Sequence, residues 1–313
     1  MRMNISRRTF LQTTAGLAAA VARAEPAPTR PAKIIDTHTH FFDPSRPLGV
    51  PWPPKDDAVL YRTTLPKDYR ALPVPQAVDG TIVVEASTWV EDNQWILDLA
   101  ARDPFIVGFV GNLQPGTPAF AGNLKRFAAN PIFRGIRIRA GSLENFLGDR
   151  AFVDDLRAIA DRGLTFDVHS PPSWVGQAAR IAVLVPGLKL VINHVANAAV
   201  NGAQASDEWQ RLIESLAAHP QIFMKVSGLA EGTKHDNGDA PESADTYRPV
   251  LELLWRAFGP DRLLYASNWP VSGRYAPLGR VQKIAMDFFA GKGQPALDKV
   301  FWKNAQIAYG LKQ

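Results

Sequence analysis

The sequence predicts a single (β/α)8 TIM barrel, an α/β fold, preceded by a cleavable export signal. Three observations predict the barrel. Eight short apolar runs alternate with stretches of helical period along nearly the whole chain. The segment that carries them, residues 33–313, fits a fold that typically takes about 250 residues. Four of the six histidines close a strand candidate at its C-terminal end, the rim on which barrel chemistry is done. The competing doubly wound sheet would need a glycine-rich phosphate loop after its first strand, and Phe41-Phe42-Asp43-Pro44 stands there instead.

Residues 1–24 are set aside from the fold. Ser6-Arg7-Arg8-Thr9-Phe10-Leu11 is a twin-arginine signature, a weakly apolar stretch runs from Thr13 to Val21, and Ala22-Arg23-Ala24 is a small-x-small cleavage site. The precursor is expected to use the twin-arginine export machinery, and the mature protein to be periplasmic or secreted. Residues 25–32 read as a short linker. No later segment approaches the ~20 continuous apolar residues of a membrane span.

The first strand candidate, Ile34–His40, is followed by a proline-rich connection from Asp43 to Pro75, expected as an irregular flap. Strand candidates Gly80–Ser87, Phe105–Asn112, Arg134–Ala140, Leu164–Ser170 and Leu188–Val195 precede the helical patterns Asp92–Arg102, Pro118–Asn130, Asp149–Arg162, Ser173–Val185 and Asp207–His219. Ile222–Gly228 leads through a polar loop, residues 231–243, into the helical pattern Ala244–Phe258, and Leu263–Asn268 is the last strand candidate. Arg162-Gly163, Pro186-Gly187 and Gly259-Pro260 punctuate the joins.

The composition is globular, with 46% hydrophobic and 21% charged residues. The absence of cysteine excludes disulfides, thiolate metal sites and cysteine nucleophiles. The net charge of +5 hints at a polyanionic partner, but four of the 35 basic residues lie in the first 24 positions, which hold no acid. The rest of the chain is nearly neutral, no basic stripe is interleaved with aromatics, and nucleic-acid binding is not expected.

Side chains alternate along a strand, so every second residue shares a face. Asp36, His38 and His40 form one such set, and Thr81, Val83 and Glu85 another, read here as facing the barrel axis. Arg137 pairs with Arg139, and Lys225 with Ser227, while His169, His194 and Asn268 each close a strand. Two imidazoles at i and i+2 can share a divalent ion, and neutral imidazole suits zinc. The arginines can hold a substrate carboxylate in a bidentate fork, or pair internally with Glu85 or Asp167. Trp52, Trp89, Trp174 and Trp269 lie just past these elements and offer aromatic faces to a ligand.

Asp36-Thr37-His38-Thr39-His40, Phe133-Arg134-Gly135-Ile136-Arg137, Phe166-Asp167-Val168-His169, Ile192-Asn193-His194-Val195, Met224-Lys225-Val226-Ser227-Gly228-Leu229 and Tyr265-Ala266-Ser267-Asn268-Trp269-Pro270 together resemble the amidohydrolase superfamily. More narrowly they resemble its amidohydrolase-related branch, which holds L-fuconolactonase, L-rhamnonolactonase, 4-sulfomuconolactonase and pyrone-dicarboxylate lactonase. The resemblance implies a barrel that opens a cyclic ester. It implies that the histidines of strands one and five bind or surround a metal, and that the histidine of strand six binds substrate or polarises its carbonyl.

One departure matters. The superfamily's last strand usually ends in an aspartate that binds metal and deprotonates water, and Asn268 stands at that position. An amide is a poor ligand and no general base. The expected scheme therefore has His38, His40 and His169 holding a divalent ion, zinc by preference, with Glu85 as fourth ligand or base. His194 or Lys225 stabilises the oxyanion, Asn268 holds water or substrate, and Arg137, Arg139, Trp89, Trp174 and Trp269 bind the substrate, by preference a sugar-acid lactone. A non-oxidative decarboxylase of the same superfamily and an exported barrel that binds ligand without turnover stay open as alternatives. The substrate, the need for metal and the oligomeric state are not given by the sequence.

Overall fold

The computed structural model describes residues 29–139, 148–169 and 172–312. The export signal lies outside the described residues. Eight parallel strands form one sheet in sequential order: β1 (Ile35–Thr39), β2 (Gly80–Val84), β3 (Ile106–Gly111), β4 (Phe133–Arg139), β5 (Thr165–His169), β6 (Lys189–Ile192), β7 (Ile222–Val226) and β8 (Leu263–Tyr265). The sheet closes between its first and last members. His40 N–H donates to Trp269 O at 2.9 Å and Asn268 N–H to His38 O at 2.9 Å, so the seam of the barrel runs through predicted site residues.

Helices cover the outside: α1 (Pro66–Arg70), α2 (Asp92–Arg102), α3 (Phe120–Ala128), α4 (Arg150–Asp161), α5 (Pro172–Leu184), α6 (Asp207–Ala217), α7 (Leu229–Gly232), α8 (Ala244–Phe258), α9 (Leu278–Ala290), α10 (Gln294–Asp298) and α11 (Asn304–Tyr309). Their apolar stripes meet the outward side chains of the strands, among them Val83, Ile136, Phe166, Leu190 and Tyr265. Each such residue, fully buried, contributes roughly 1.5–3 kcal/mol. Inside the barrel Ile82, Val84, Val191, Phe223 and Leu264 pack against Ala305, Ala308 and Tyr309 of α11. Lys189 at the start of β6 donates to Ile307 O at 2.7 Å, which places α11 across the N-terminal mouth. That end is plugged, and the opposite end is left for chemistry.

Two expectations from strict alternation are corrected. The pairing of β1 with β2 shifts register between Asp36 and Thr39. Asp36 consequently faces the helices, where it accepts from Tyr69 Oη of α1 at 2.7 Å and from Ser267 N–H at 2.9 Å, while His38 and His40 face inward. On β2 the inward residues are Ile82 and Val84, so Thr81 and Val83 face outward. The strands are also shorter than predicted. His40, Glu85, His194, Ser227 and Asn268 lie just beyond their strand ends, where ladder pairing stops and the backbone is free to turn.

Candidate active site

At the C-terminal mouth lies a cavity of about 840 Å³ lined by His40, Trp52, Arg137, His169, His194, Glu231, Lys234, Asn268 and Tyr275, with Ala198, Gly228 and Gly232 among the small residues of its wall. Four imidazoles form a chain across it. Ring centroids are 4.9 Å apart for His38–His40, 4.5 Å for His38–His194 and 5.0 Å for His169–His194. Burial pushes His38 well below the usual histidine value, helped by the positive charges of Lys225 and neighbouring histidines. His194 is held low in the same way, by burial first and then by His169, Arg137 and Lys225. His38 and His194 are therefore neutral imidazoles at pH 7.

Three of the rings are held by named partners. His40 Nδ1 lies 2.8 Å from Val84 O, which can only accept, so the ring carries its proton there. Its Nε2 lies 3.3 Å from Asn268 Oδ1. His38 Nδ1 is 3.3 Å from Lys225 Nζ. His194 Nδ1 is 3.0 Å from Ser227 Oγ, which leaves its other nitrogen for the cavity. His194 opens a left-handed turn, with φ of 54°, 45°, 52° and 55° over His194, Val195, Ala196 and Asn197. Gly228, at φ 69°, supports that turn closely, for a Cβ on it would stand 2.7 Å from His194 Cβ.

The predicted residues separate into two groups. His40, His169, His194, Arg137 and Asn268 line the cavity, with His38 directly behind them. Glu85, Lys225, Trp89 and Trp269 do not line it among the described residues. Glu85 is buried and accepts from Arg137 Nε at 3.1 Å, and its backbone oxygen accepts from Arg137 Nη2. The internal pairing of the arginine is thus the observed one. Lys225 is fully buried in an ion pair with Asp167 at 2.7 Å, and Tyr309 Oη donates to the same carboxylate at 3.0 Å. A buried ammonium held by a buried carboxylate does not reach a substrate oxygen, so Lys225 acts behind His38. Trp269 packs into the core on Phe41 and Tyr69, with ring centroids 6.2 and 5.4 Å away. Trp89 lines a separate small hollow with Trp95 and Phe41. The side chains of Arg139 and Trp174 lie outside the described residues. Among the described residues Trp52 is the tryptophan at the cavity, 5.7 Å from the His40 ring between centroids.

Sequence reasoning missed Glu231. In the sequence it opens a polar loop, but in the fold it sits in α7 and receives a hydrogen bond from Asn268 Nδ2 at 2.8 Å. Burial pushes its carboxyl up to about 7. The available signal was its distance from the strand end: it lies five residues beyond Val226, the last residue of β7, in the turn a barrel devotes to its site. Tyr275 at the cavity wall was missed as well.

A family model described as amidohydrolase matches residues 35–311. The chain belongs to the amidohydrolase family. Residues 4–22 match a model of the twin-arginine translocation signal, so this amidohydrolase is exported across the membrane. No helix among the described residues is long and apolar enough to cross a membrane. The chain is similar to an L-fucono-1,5-lactonase of Burkholderia ambifaria, 30% identical over 240 residues that cover 76% of this chain and 80% of the relative. An L-rhamnono-gamma-lactonase of Scheffersomyces stipitis is 25% identical over 184 residues, 53% of this chain and 55% of the relative. A crystal structure of a Burkholderia multivorans amidohydrolase with bound zinc superposes with a TM-score of 0.79 at 24% identity, covering 90% of this chain and all of that one.

Metal use is general in this superfamily. The donor set here fits an ion in part. His38 Nε2 is buried with no hydrogen-bond partner, and burial keeps the His38 ring neutral, as ligation requires. No group of three or more His, Asp or Glu side chains among the described residues converges closely enough to hold a metal by itself. The residues suit an ion anchored at the β1 histidines and completed by water or substrate, not a closed protein cage.

Proposed function

We propose that this amidohydrolase hydrolyses the ring ester of a sugar-acid lactone. The observation that carries the reading is the cavity at the C-terminal mouth, where three imidazoles, that of His194 held neutral by burial, and one guanidinium line about 840 Å³. A carbonyl oxygen entering that space meets side chains already oriented by their partners behind the wall. The names of the curated lactonase relatives support the same reaction class.

The geometry supports the following roles. His194, its Nδ1 engaged by Ser227, directs its second nitrogen at the lactone carbonyl and donates to the oxyanion as it forms. His38 and His40 are the residues that would hold a divalent ion, zinc in the finer reading, and such an ion supplies polarisation of the carbonyl and a more acidic water. His169 flanks His194 and narrows the entry. Arg137, planar and paired with Glu85, lines the cavity where its charge attracts hydroxyl or carboxylate oxygens of the substrate. Asn268 holds a polar group at the seam, and Trp52 covers one face of the ring.

The test is a lactone panel that includes L-fucono-1,5-lactone and L-rhamnono-γ-lactone, followed by proton release at fixed pH, with metal content measured on the same preparation. Ring opening with kcat lowered at least about a hundredfold in His194→Ala supports the reading. No turnover on any lactone, with carbon dioxide released from a carboxylic-acid panel, would replace it by decarboxylation.

A further inference from the structure

We propose that Glu231 is the general base of the hydrolysis, standing where it can take the proton from the attacking water at the end of the barrel seam. The inference rests on the lactone reading above and supplies what that reading lacks. The superfamily's usual carboxylate position is Asn268, so the proton needs another acceptor. The acids near the mouth can be taken in turn. Asp36 faces the helices and is consumed by Tyr69, Ser267 and the His38 amide. Asp167 is tied to Lys225 and Tyr309. Glu85 is held by Arg137 and does not line the cavity. Among the described residues Glu231 is the one acid in the cavity wall.

Its position is set by three elements. Gly228 at φ 69° starts α7 directly off β7 and lets the helix approach His194. Gly232 sits tightly at the other end of α7, for a Cβ there would stand 2.7 Å from Ala198 O. Asn268 Nδ2 donates to Glu231 Oε1 at 2.8 Å, which orients the carboxylate toward the β8 end of the mouth. The amide thus turns from an absent base into the group that aims one. The other titratable and charged groups of the cavity wall are His40, Arg137, His169, His194, Lys234 and Tyr275, and Tyr247 on α8 lies within electrostatic reach of Glu231. None is a carboxylate, and the carboxyl of Glu231 is pushed up to about 7 by burial, an acid–base value matched to neutral operation.

The step balances. Water oxygen forms a bond to the lactone carbonyl carbon while Glu231 takes one of its protons. The tetrahedral intermediate collapses, the ring C–O bond breaks, and the leaving alkoxide takes the proton back from Glu231. The net result is one water added and one hydroxy acid formed.

The experiment compares wild type, Glu231→Gln and Glu231→Asp on the lactone of the panel that the wild type opens fastest, with folding followed by circular dichroism and thermal melting. Glu231→Gln is expected to lose roughly 10²–10⁴ in kcat with KM little changed. The acidic limb of the wild-type kcat profile, centred near pH 7, is expected to vanish in that variant. A structural role would not move that limb. Should Glu231→Gln unfold, Glu231→Asp carries the test: the shortened carboxylate must keep the limb and lower kcat by about tenfold or more. Wild-type turnover with Glu231→Gln within threefold of it, or with its acidic limb intact, overturns Glu231 alone. A wild type that opens no lactone overturns the lactone reading and the assignment with it.

Discussion

Replacing Asn268 by aspartate puts the local electrostatics under load. Asn268 Nδ2 stands 2.8 Å from Glu231 Oε1. With both groups ionised, two unit charges at 2.8 Å repel by about 6 kcal/mol at an effective dielectric near 20. Glu231 already ionises with difficulty, pushed up to about 7 from an ordinary 4.5 by burial. Its stabilising contribution is fully present below about pH 4.5 and is lost as pH rises through about 7, a loss of roughly 3 kcal/mol in the wild type. The second carboxyl in Asn268→Asp is raised by the same burial and by its neighbour, so its contribution is lost over the same window in the same direction. Rotation into the open cavity relieves part of the repulsion, and we expect an additional loss of about 3 kcal/mol at pH 8. At pH 5 the pair shares a proton and the variant should be within about 1 kcal/mol of wild type. Urea unfolding followed by tryptophan fluorescence at both pH values measures this. A gap between wild type and variant that is equal at pH 5 and pH 8 would refute the contact between the two side chains.

Three further outcomes follow from packing. Gly228→Ala adds a Cβ 2.7 Å from His194 Cβ at a φ of 69°; left-handed strain of about 1–2 kcal/mol and overpacking of about 1–3 kcal/mol should lower the urea midpoint, and kcat should fall as His194 is displaced. Trp52→Ala should raise KM while leaving the melting temperature nearly unchanged, because the ring is half-buried at the cavity. Trp269→Ala should do the opposite, costing about 3–5 kcal/mol of stability through the core cluster with Phe41 and Tyr69.

The barrel was legible because parallel strands buried on both faces read as continuous apolar runs, and Ile82-Val83-Val84 or Leu190-Val191-Ile192 are unmistakable in that respect. The rim histidines were legible because polar residues ending such runs have few structural uses. Facing was not legible. A register shift between β1 and β2 turns Asp36 outward and leaves Thr81 and Val83 on the helix side, and nothing in a period of two announces it. Trp269 follows a site residue in sequence yet is drawn into the core by Phe41 and Tyr69, which are distant in sequence. Glu231 escaped because it belongs to no strand. It reaches the mouth only through the short helix α7, whose approach depends on two glycines and on a turn after another strand.

That turn shows how the mouth is held. A β-branched residue with positive φ is a true outlier, and Val195 has φ 45° within four consecutive left-handed residues. Each such residue costs about 1–2 kcal/mol, so the run persists only where its surroundings over-determine it. They do so here from two sides. Val195 and Ala196 are fully buried, and Trp209 Nε1 of α6 donates to Val195 O at 3.2 Å. Val200 N–H donates to Gly232 O at 2.9 Å, tying the exit of the turn to the end of α7. The strain therefore does positional work: it throws His194 across the mouth toward His38 and, through Gly228 and Gly232, sets the helix that carries Glu231. Perturbing α7 should move both side chains together, whereas perturbing β8 through Asn268 should move Glu231 and leave the His194–Ser227 contact in place. The two sets of variants thus separate the aiming of the carboxylate from the aiming of the imidazole.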